Sequence, residues 1–416
     1  MEGYNKKVIM SYWTICRMKT TKKIYVKVSI IFLLGGILLF SSCEKEENQK
    51  IEANRKTLFM YLPWSSNLTN YFYNNISDLE KCITKIGLNN EKVIVFISTG
   101  STEAMMFEIV SSHGRCKREI LKKYKSPPFT TIDGITAILN DVKAFAPASV
   151  YTMIIGCHGM GWLPVYEMKV RSAPHMKMHW EYQGVPLTRY FGGLTAEYQT
   201  DIKSLASGIA NAGMKMEYIL FDDCYMSSIE VAYELKDVTK YLIGSTSEMM
   251  AYGMPYAAIG EYLLGNPDYQ SGCEEFYNFY STYEIMPCGT LAVTDCSELE
   301  NMAAIIKSIN SKYSFDKSLR GTIQRLDGYT PVIFYDFADY ITSLCNDPIL
   351  LNQFREQLNH LVPYKTHTKN FYTMAKGIIP INTGIVLFVQ DYNKVEANIN
   401  KLDVFVYNEN TIDAKN

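Results

Sequence analysis

Two short stretches of this 416-residue chain end an apolar run on reactive side chains. The first is Met153-Ile154-Ile155-Gly156-Cys157-His158-Gly159-Met160-Gly161-Trp162. The second is Tyr218-Ile219-Leu220-Phe221-Asp222-Asp223-Cys224-Tyr225-Met226-Ser227-Ser228. An apolar, β-rich run bounded by polar residues reads as a strand buried on both faces. In open α/β sheets ligands bind outside the carboxyl ends of such strands. His158 and Cys224 can therefore meet there despite their separation in sequence. The thiolate is the nucleophilic form of cysteine, so a reactive Cys224 needs a base close by, and His158 can supply it. Gly159 lets a substrate approach the backbone. The N–H groups of Gly159 and Cys224 are candidate oxyanion donors, and removing one such donor typically costs ~10²–10³ in rate.

The elements that must position this pair alternate along the chain. Strands are expected at Leu58–Leu62, Val93–Ser98, Val150–Ile155, Tyr218–Phe221 and Tyr241–Gly244. Helices are expected at Leu68–Ile86, Ile132–Phe145, Ile202–Ala212 and Ser228–Leu235, with Thr130-Thr131 as caps of the second. Strand–helix alternation predicts an α/β layered fold, a mainly parallel central sheet flanked by helices. After Gly289 the pattern restarts, with strands at Thr290–Thr294, Val332–Tyr335 and Gly384–Val389 and a helix at Glu298–Ile309. A loose boundary falls near 260–285, where Gly265-Asn266-Pro267 and the aromatic stretch Phe276–Tyr283 interrupt the pattern.

His158-Gly159-x-Gly161-Trp162 and Asp222-x-Cys224-x-Met226-Ser227-Ser228-x-Glu230 resemble the motifs of the clostripain-like cysteine peptidases. That family lies in the clan of caspases, gingipains, legumains and separases. A third stretch agrees with it: Ser247-Glu248 followed by Gly253-x-Pro255-Tyr256. The resemblance covers about residues 55–260. It departs at Cys157, where Asn is commoner, at Met249, which replaces an acidic residue, and at Ala251-Tyr252. These changes bear on substrate preference more than on the Cys/His dyad. The resemblance implies a caspase-like peptidase core. Cys224 would be the nucleophile and His158 the general acid/base of an endopeptidase. Asp222 would lie at the base of the S1 pocket and select Arg or Lys at P1. Residues two apart on a strand share a face, so Asp222 and Cys224 look the same way and Asp223 the other. Members of the family commonly self-cleave after a basic residue between the His and Cys segments. Lys169, Arg171, Lys177 and Arg189 are the candidates here. Some members depend on calcium, but no acidic loop in this sequence demands it, and no cofactor is expected.

Blander readings compete at each residue. Cys224 alone could be an inert buried thiol, and His158 a satisfied structural histidine. Asp222 or Asp223 could cap a helix opening near 225–228, with Asp223 the better cap. His175 and His179 have the spacing of two ligands on a helix face but lack a third, and Pro174 intervenes. His113 with Cys116 is equally weak. No Lys-Ser/Thr follows Gly159-Met160-Gly161, and no Gly-x-Ser-x-Gly occurs, which excludes a phosphate loop and a serine elbow. The aromatic residues at 276–283 read as core. Two rival functions remain. One is a catalytically silent, surface-anchored binding protein on the same fold. The other is a clan relative selecting Asp or Asn at P1, although an Asp-selective pocket calls for Arg rather than Asp222.

The N-terminus reads as an address. Lys19, Lys22, Lys23 and Lys27 precede the apolar run Val28–Phe40, and Leu39-Phe40-Ser41-Ser42-Cys43 resembles a bacterial lipobox. Cys43 would be lipidated. The following Glu44-Lys45-Glu46-Glu47 is similar to the signal that sends lipoproteins of Bacteroides-type bacteria to the outer face of the outer membrane. The expected parse is a signal peptide at 1–43, a tether at 44–54, the peptidase core at 55–265 and a C-terminal α/β region at 266–416. Basic and acidic residues number 41 and 43, so no electrostatic case exists for nucleic acid. A mean hydropathy of −0.08 excludes a polytopic membrane protein. The cysteines after Cys43 show no paired spacing, so no disulfide framework is indicated.

Overall fold

Residues in the central strands alternate between two apolar cores. In the computed structural model, which describes residues 54–65, 67–162, 198–328, 332–384 and 387–390, Phe59 and Tyr61 enter one core while Leu58, Met60 and Leu62 enter the other. The run Val93 to Ile97 is fully buried on both faces. Each such side chain contributes about 1.5–3 kcal/mol by leaving water, which is why these segments read as continuous apolar runs.

The first part of the chain runs β1 (Asn54–Leu62), α1 (Thr69–Ile86), β2 (Glu91–Ser98), β3 (Glu103–Ser112), β4 (Arg115–Lys125), α2 (Ile132–Phe145) and β5 (Ala148–Ile155). There follow α3 (Ile202–Asn211), β6 (Met216–Phe221), α4 (Ile229–Leu235), β7 (Thr239–Gly244), α5 (Tyr256–Leu263) and α6 (Tyr269–Ser281). The remainder is β8 (Thr290–Asp295), α7 (Leu299–Asn310), β9 (Phe334–Asp336), α8 (Phe337–Leu344), α9 (Pro348–Leu361), β10 (Tyr364–His367), β11 (Asn370–Thr373), β12 (Gly377–Pro380) and β13 (Phe388–Gln390).

Nine strands form one sheet in the order β10-β8-β7-β6-β5-β1-β2-β3-β4. β2, β1, β5, β6 and β7 are parallel. β3 and β8 flank them antiparallel, and the edge strands β4 and β10 pair antiparallel to β3 and β8 in turn. The expected layered α/β fold with a mainly parallel sheet is therefore observed. Apolar residues of α2, α3, α4, α7, α8 and α9 join one core, and those of α1, α5 and α6 the other. β8 and β10, from beyond residue 265, extend the same sheet.

The local signals are physical. Thr131 caps α2 by accepting the Gly134 N–H at 3.1 Å. Gly87, at φ +77°, ends α1 and returns its N–H to Ile83 O at 2.7 Å. The aromatic stretch that interrupts the pattern in sequence is helix α6, with Phe276 and Tyr280 buried and Tyr277 exposed. The β3–β4 hairpin had no sequence signal. β4 is a charged, largely exposed edge strand, and lysine-rich edges resist pairing with other chains. Arg118 on β4 docks it onto α1 through Glu80, at 2.6 and 2.8 Å.

The segments expected as strands at Val332–Tyr335 and Gly384–Val389 overlap β9 and β13, which are shorter, end one residue later and pair with each other apart from the main sheet. Asp336, fully buried at the end of β9, caps α8 by accepting the Asp339 N–H at 2.8 Å. Burial pushes its pKa from 3.8 up to about 6. A raised carboxyl pKa gives stability that is present below the ordinary value and lost as pH rises through the folded one. Above pH 6 the ionised carboxylate then costs about 3 kcal/mol. Asn caps as well as Asp. Asp336→Asn is accordingly expected to raise Tm at pH 7.5, with a gain that shrinks toward pH 4. A thermal melt series across pH checks this, and a gain independent of pH would contradict it.

Residues 1–53, including Cys43, lie outside the described residues. Among the described residues no helix is long and apolar enough to cross a membrane.

Candidate active site

β5 and β6 are neighbours, with Ile155 beside Phe221. Pairing continues just past them, as Asp222 N–H donates to Ile155 O at 2.8 Å and Gly156 N–H to Tyr61 O at 3.1 Å. Both chains then leave the sheet as loops, and the His158 loop lies flat against the Cys224 loop. A Cβ on Gly159 would stand 2.1 Å from the Cys224 carbonyl oxygen and 2.8 Å from Asp223 Cβ. Only glycine tolerates so close a backbone approach. Asp223 holds the loops together from behind. It is fully buried, accepts the Cys157 N–H at 2.5 Å, and meets the Cys157 thiol at 3.5 Å. The residue before His158 is thus bonded to the residue before Cys224.

Neither Asp222 nor Asp223 caps a helix, contrary to the expectation above. α4 opens later, at Ile229, and the Ser228 hydroxyl caps it by accepting the Val231 N–H at 3.1 Å. Between lies a turn tied to the β7 exit loop, with Tyr225 N–H to Ser247 O at 3.0 Å and Ser227 N–H to Ser245 O at 2.9 Å. Tyr225 adopts φ +55°, a conformation that bulky residues rarely take. Tertiary contacts enforce it. The ring is fully buried 4.8 Å from Phe334, and the hydroxyl donates to Glu248 at 3.2 Å. Burial pushes the Tyr225 pKa well up, which keeps the hydroxyl a donor. The other Glu248 oxygen accepts the Met374 N–H at 3.0 Å. Residues from the C-terminal region therefore brace the turn that carries Cys224.

Cys224 is fully buried. Met249 N–H donates to its Sγ at 3.1 Å, and the thiol donates to Met249 O at 3.6 Å. That N–H is a ready partner for sulfur in its anionic form. Asp222 is buried too. It accepts the Met254 N–H at 2.8 Å and the Tyr256 hydroxyl at 2.9 Å. Cys224, Met254 and Tyr256 share one apolar cluster, while Asp223 turns to Cys157. The two-residue alternation thus persists beyond the end of β6. These bonds give a reason for Gly253-x-Pro255-Tyr256: the motif wraps Asp222, and Tyr280 fixes its start by donating to Gly253 O at 2.6 Å.

His158 is buried, and its Nε2 lies 2.9 Å from Asn67 Oδ1. Asn67 was not singled out in the sequence. Its signal there is positional alone: the loop after β1 emerges at the same sheet edge as those after β5 and β6. Behind the His158 loop is a mostly apolar cavity that includes Tyr61, Cys157, Asp223, Met226 and Leu205.

Among the described residues no group of three His, Cys, Asp or Glu could hold a metal. His113 sits exposed at the β3–β4 turn beside Ser112, and Cys116 donates to Glu80 O at 3.4 Å. His175, His179 and the four candidate cleavage residues lie outside the described residues.

The layered α/β sheet thus carries a cysteine and a histidine on loops that follow adjacent strands. The model of the clostripain family matches residues 60–410, and the chain belongs to that family. The resemblance read from the three motifs is thereby borne out. The chain is similar to a secreted C11 cysteine protease of Bacteroides thetaiotaomicron, "iotapain", at 57% identity and TM-score 0.75, over 82% of this chain and 94% of that one. It is also similar to an inactive zymogen C11 protease of Parabacteroides distasonis, at 25% identity and TM-score 0.67, over 80% and 91%. A second secreted C11 protease of B. thetaiotaomicron, solved with an irreversible peptide inhibitor, shares the fold at 19% identity and TM-score 0.69, over 83% and 95%. No curated protein sequence matches the chain significantly.

Proposed function

We propose that this cysteine peptidase is an endopeptidase that cuts after Arg or Lys with a Cys224/His158 dyad. The observation that carries the reading is the seating of Gly159 on the Cys224 carbonyl, which joins the two loops. The Cys224 thiolate attacks the scissile carbonyl carbon. The oxyanion is met by the N–H groups of Gly159 and Cys224. His158 delivers its proton to the departing amine as the C–N bond breaks. Water, giving a proton back to His158, then hydrolyses the thioester and frees Cys224. Asp222 lies on the Cys224 side, where it accepts the Met254 N–H and the Tyr256 hydroxyl. A P1 guanidinium or ammonium would meet its negative charge by charge-assisted bonds.

Cleavage of the chain itself within 165–190 belongs to the same reading. The full burial of Cys224 fits a form that precedes activation, and the P. distasonis relative is an inactive zymogen. Export with a lipid anchor at Cys43 is proposed from the lipobox, and a secreted B. thetaiotaomicron relative supports the export. The test is a panel of fluorogenic peptides ending in Arg, Lys, Asp or Asn, with the protein followed on a denaturing gel. Turnover confined to Arg and Lys is expected, with a fragment pair on the gel. Turnover of Asp or Asn peptides in preference would overturn the assignment of Asp222.

A further inference from the structure

Histidine acts in catalysis through one ring nitrogen, and the partner of the other decides which one. His158 follows β5, and Asn67 reaches it from the loop between β1 and α1. Asn67 Oδ1 stands 2.9 Å from Nε2. An amide oxygen accepts and never donates, so Nε2 carries a proton in both the neutral and the charged ring. Asn67 is anchored in turn, because its N–H donates to Ser65 O at 2.7 Å and Ser65 is buried. The next residue, Leu68, is buried and leads into α1. The backbone that carries Asn67 is thus held, while its side chain is exposed and reaches His158 from the solvent side of the loop.

We propose that Asn67 is a positioning residue that fixes the orientation and tautomer of His158, leaving Nδ1 as the nitrogen that carries the proton between Cys224 and the leaving amine. This rests on the Cys224/His158 reading above. Neutral Asn67 supports the imidazolium less than a carboxylate would, so the residue sets where the alkaline limb of activity falls. The described titratable groups that line the cavity with His158 are Tyr61 from β1 and Cys157 and Asp223 from the loops after β5 and β6, and the Cys224 backbone lies against the next residue, Gly159. α3 presents apolar Ile202 and Leu205 to that cavity. None of these changes in the Asn67 variants, so their influence is common to wild type, Asn67→Ala and Asn67→Asp.

The experiment measures kcat, KM and the pH profile of kcat/KM for wild type, Asn67→Ala and Asn67→Asp on one basic peptide, with Tm and with Cys224→Ala and His158→Ala as controls. Asn67→Ala is expected to lower kcat about ten-fold with KM little changed. Asn67→Asp restores the acceptor, recovers kcat, and moves the alkaline limb up by about one pH unit, since a nearby carboxylate favours the imidazolium. A purely structural role predicts that activity follows Tm and that the limb stays fixed, and that result overturns the proposal. Wild-type rates in Asn67→Ala do so as well. Activity surviving in His158→Ala would instead strike the dyad itself, and the Asn67 proposal would fall with it.

Discussion

Cys224→Ala is expected to abolish peptide turnover, with kcat falling by at least about 10⁴-fold, while the protein stays folded. The size follows from the chemistry, because no acyl-enzyme forms without the sulfur and single losses of a nucleophile act on the whole dyad. The fold survives because the change is small. Sγ contacts the Met249 backbone and sits in a core shared with Ile243 and Met250, so its loss leaves a void of about one atom. Steady-state rates beside a thermal melt check this. Turnover near wild type in a folded variant would remove Cys224 from the mechanism.

The second large effect is expected at Asp222. Asp222→Asn should lower kcat/KM for Arg and Lys peptides by about 10²–10³-fold, since losing a buried charge partner typically costs several kcal/mol and each 1.4 kcal/mol is tenfold. Peptides with neutral P1 residues should change little. Asn keeps an oxygen for the Met254 N–H, so the loop that Asp222 holds should stay in place. Equal losses on basic and neutral peptides would show that Asp222 serves only to hold residues 254–256. The Tm of the variant separates a lost charge from a lost loop.

Much of this was legible in the sequence, for identifiable reasons. Strands buried on both faces announce themselves as apolar runs, so β1, β2, β5, β6 and β7 were all found within a few residues. The His158 and Cys224 stretches stood out because each run ends on reactive side chains at the edge where parallel sheets bind ligands. The β3–β4 hairpin escaped because its outer strand faces water and carries no alternating pattern. α6 is hard to see because the unbroken run of aromatic and polar residues from Glu274 to Tyr283 hides a 3.6-residue period, although Phe276 and Tyr280 lie on one buried face. The role of Asp223 was misread because a cap is decided by where the backbone turns, and the Tyr225 turn delays α4 to Ile229. Asn67 was invisible for a different reason. Its role depends on which loop β1 delivers beside β5, and local sequence does not encode that adjacency.

The most direct measurement of the dyad is to treat the active protein with a lysyl chloromethyl ketone peptide and locate the adduct by mass spectrometry. The predicted result is one adduct, on Cys224, formed in step with loss of turnover and absent from Cys224→Ala. An adduct on another cysteine that tracks the loss of activity, or turnover that survives full modification of Cys224, would contradict it.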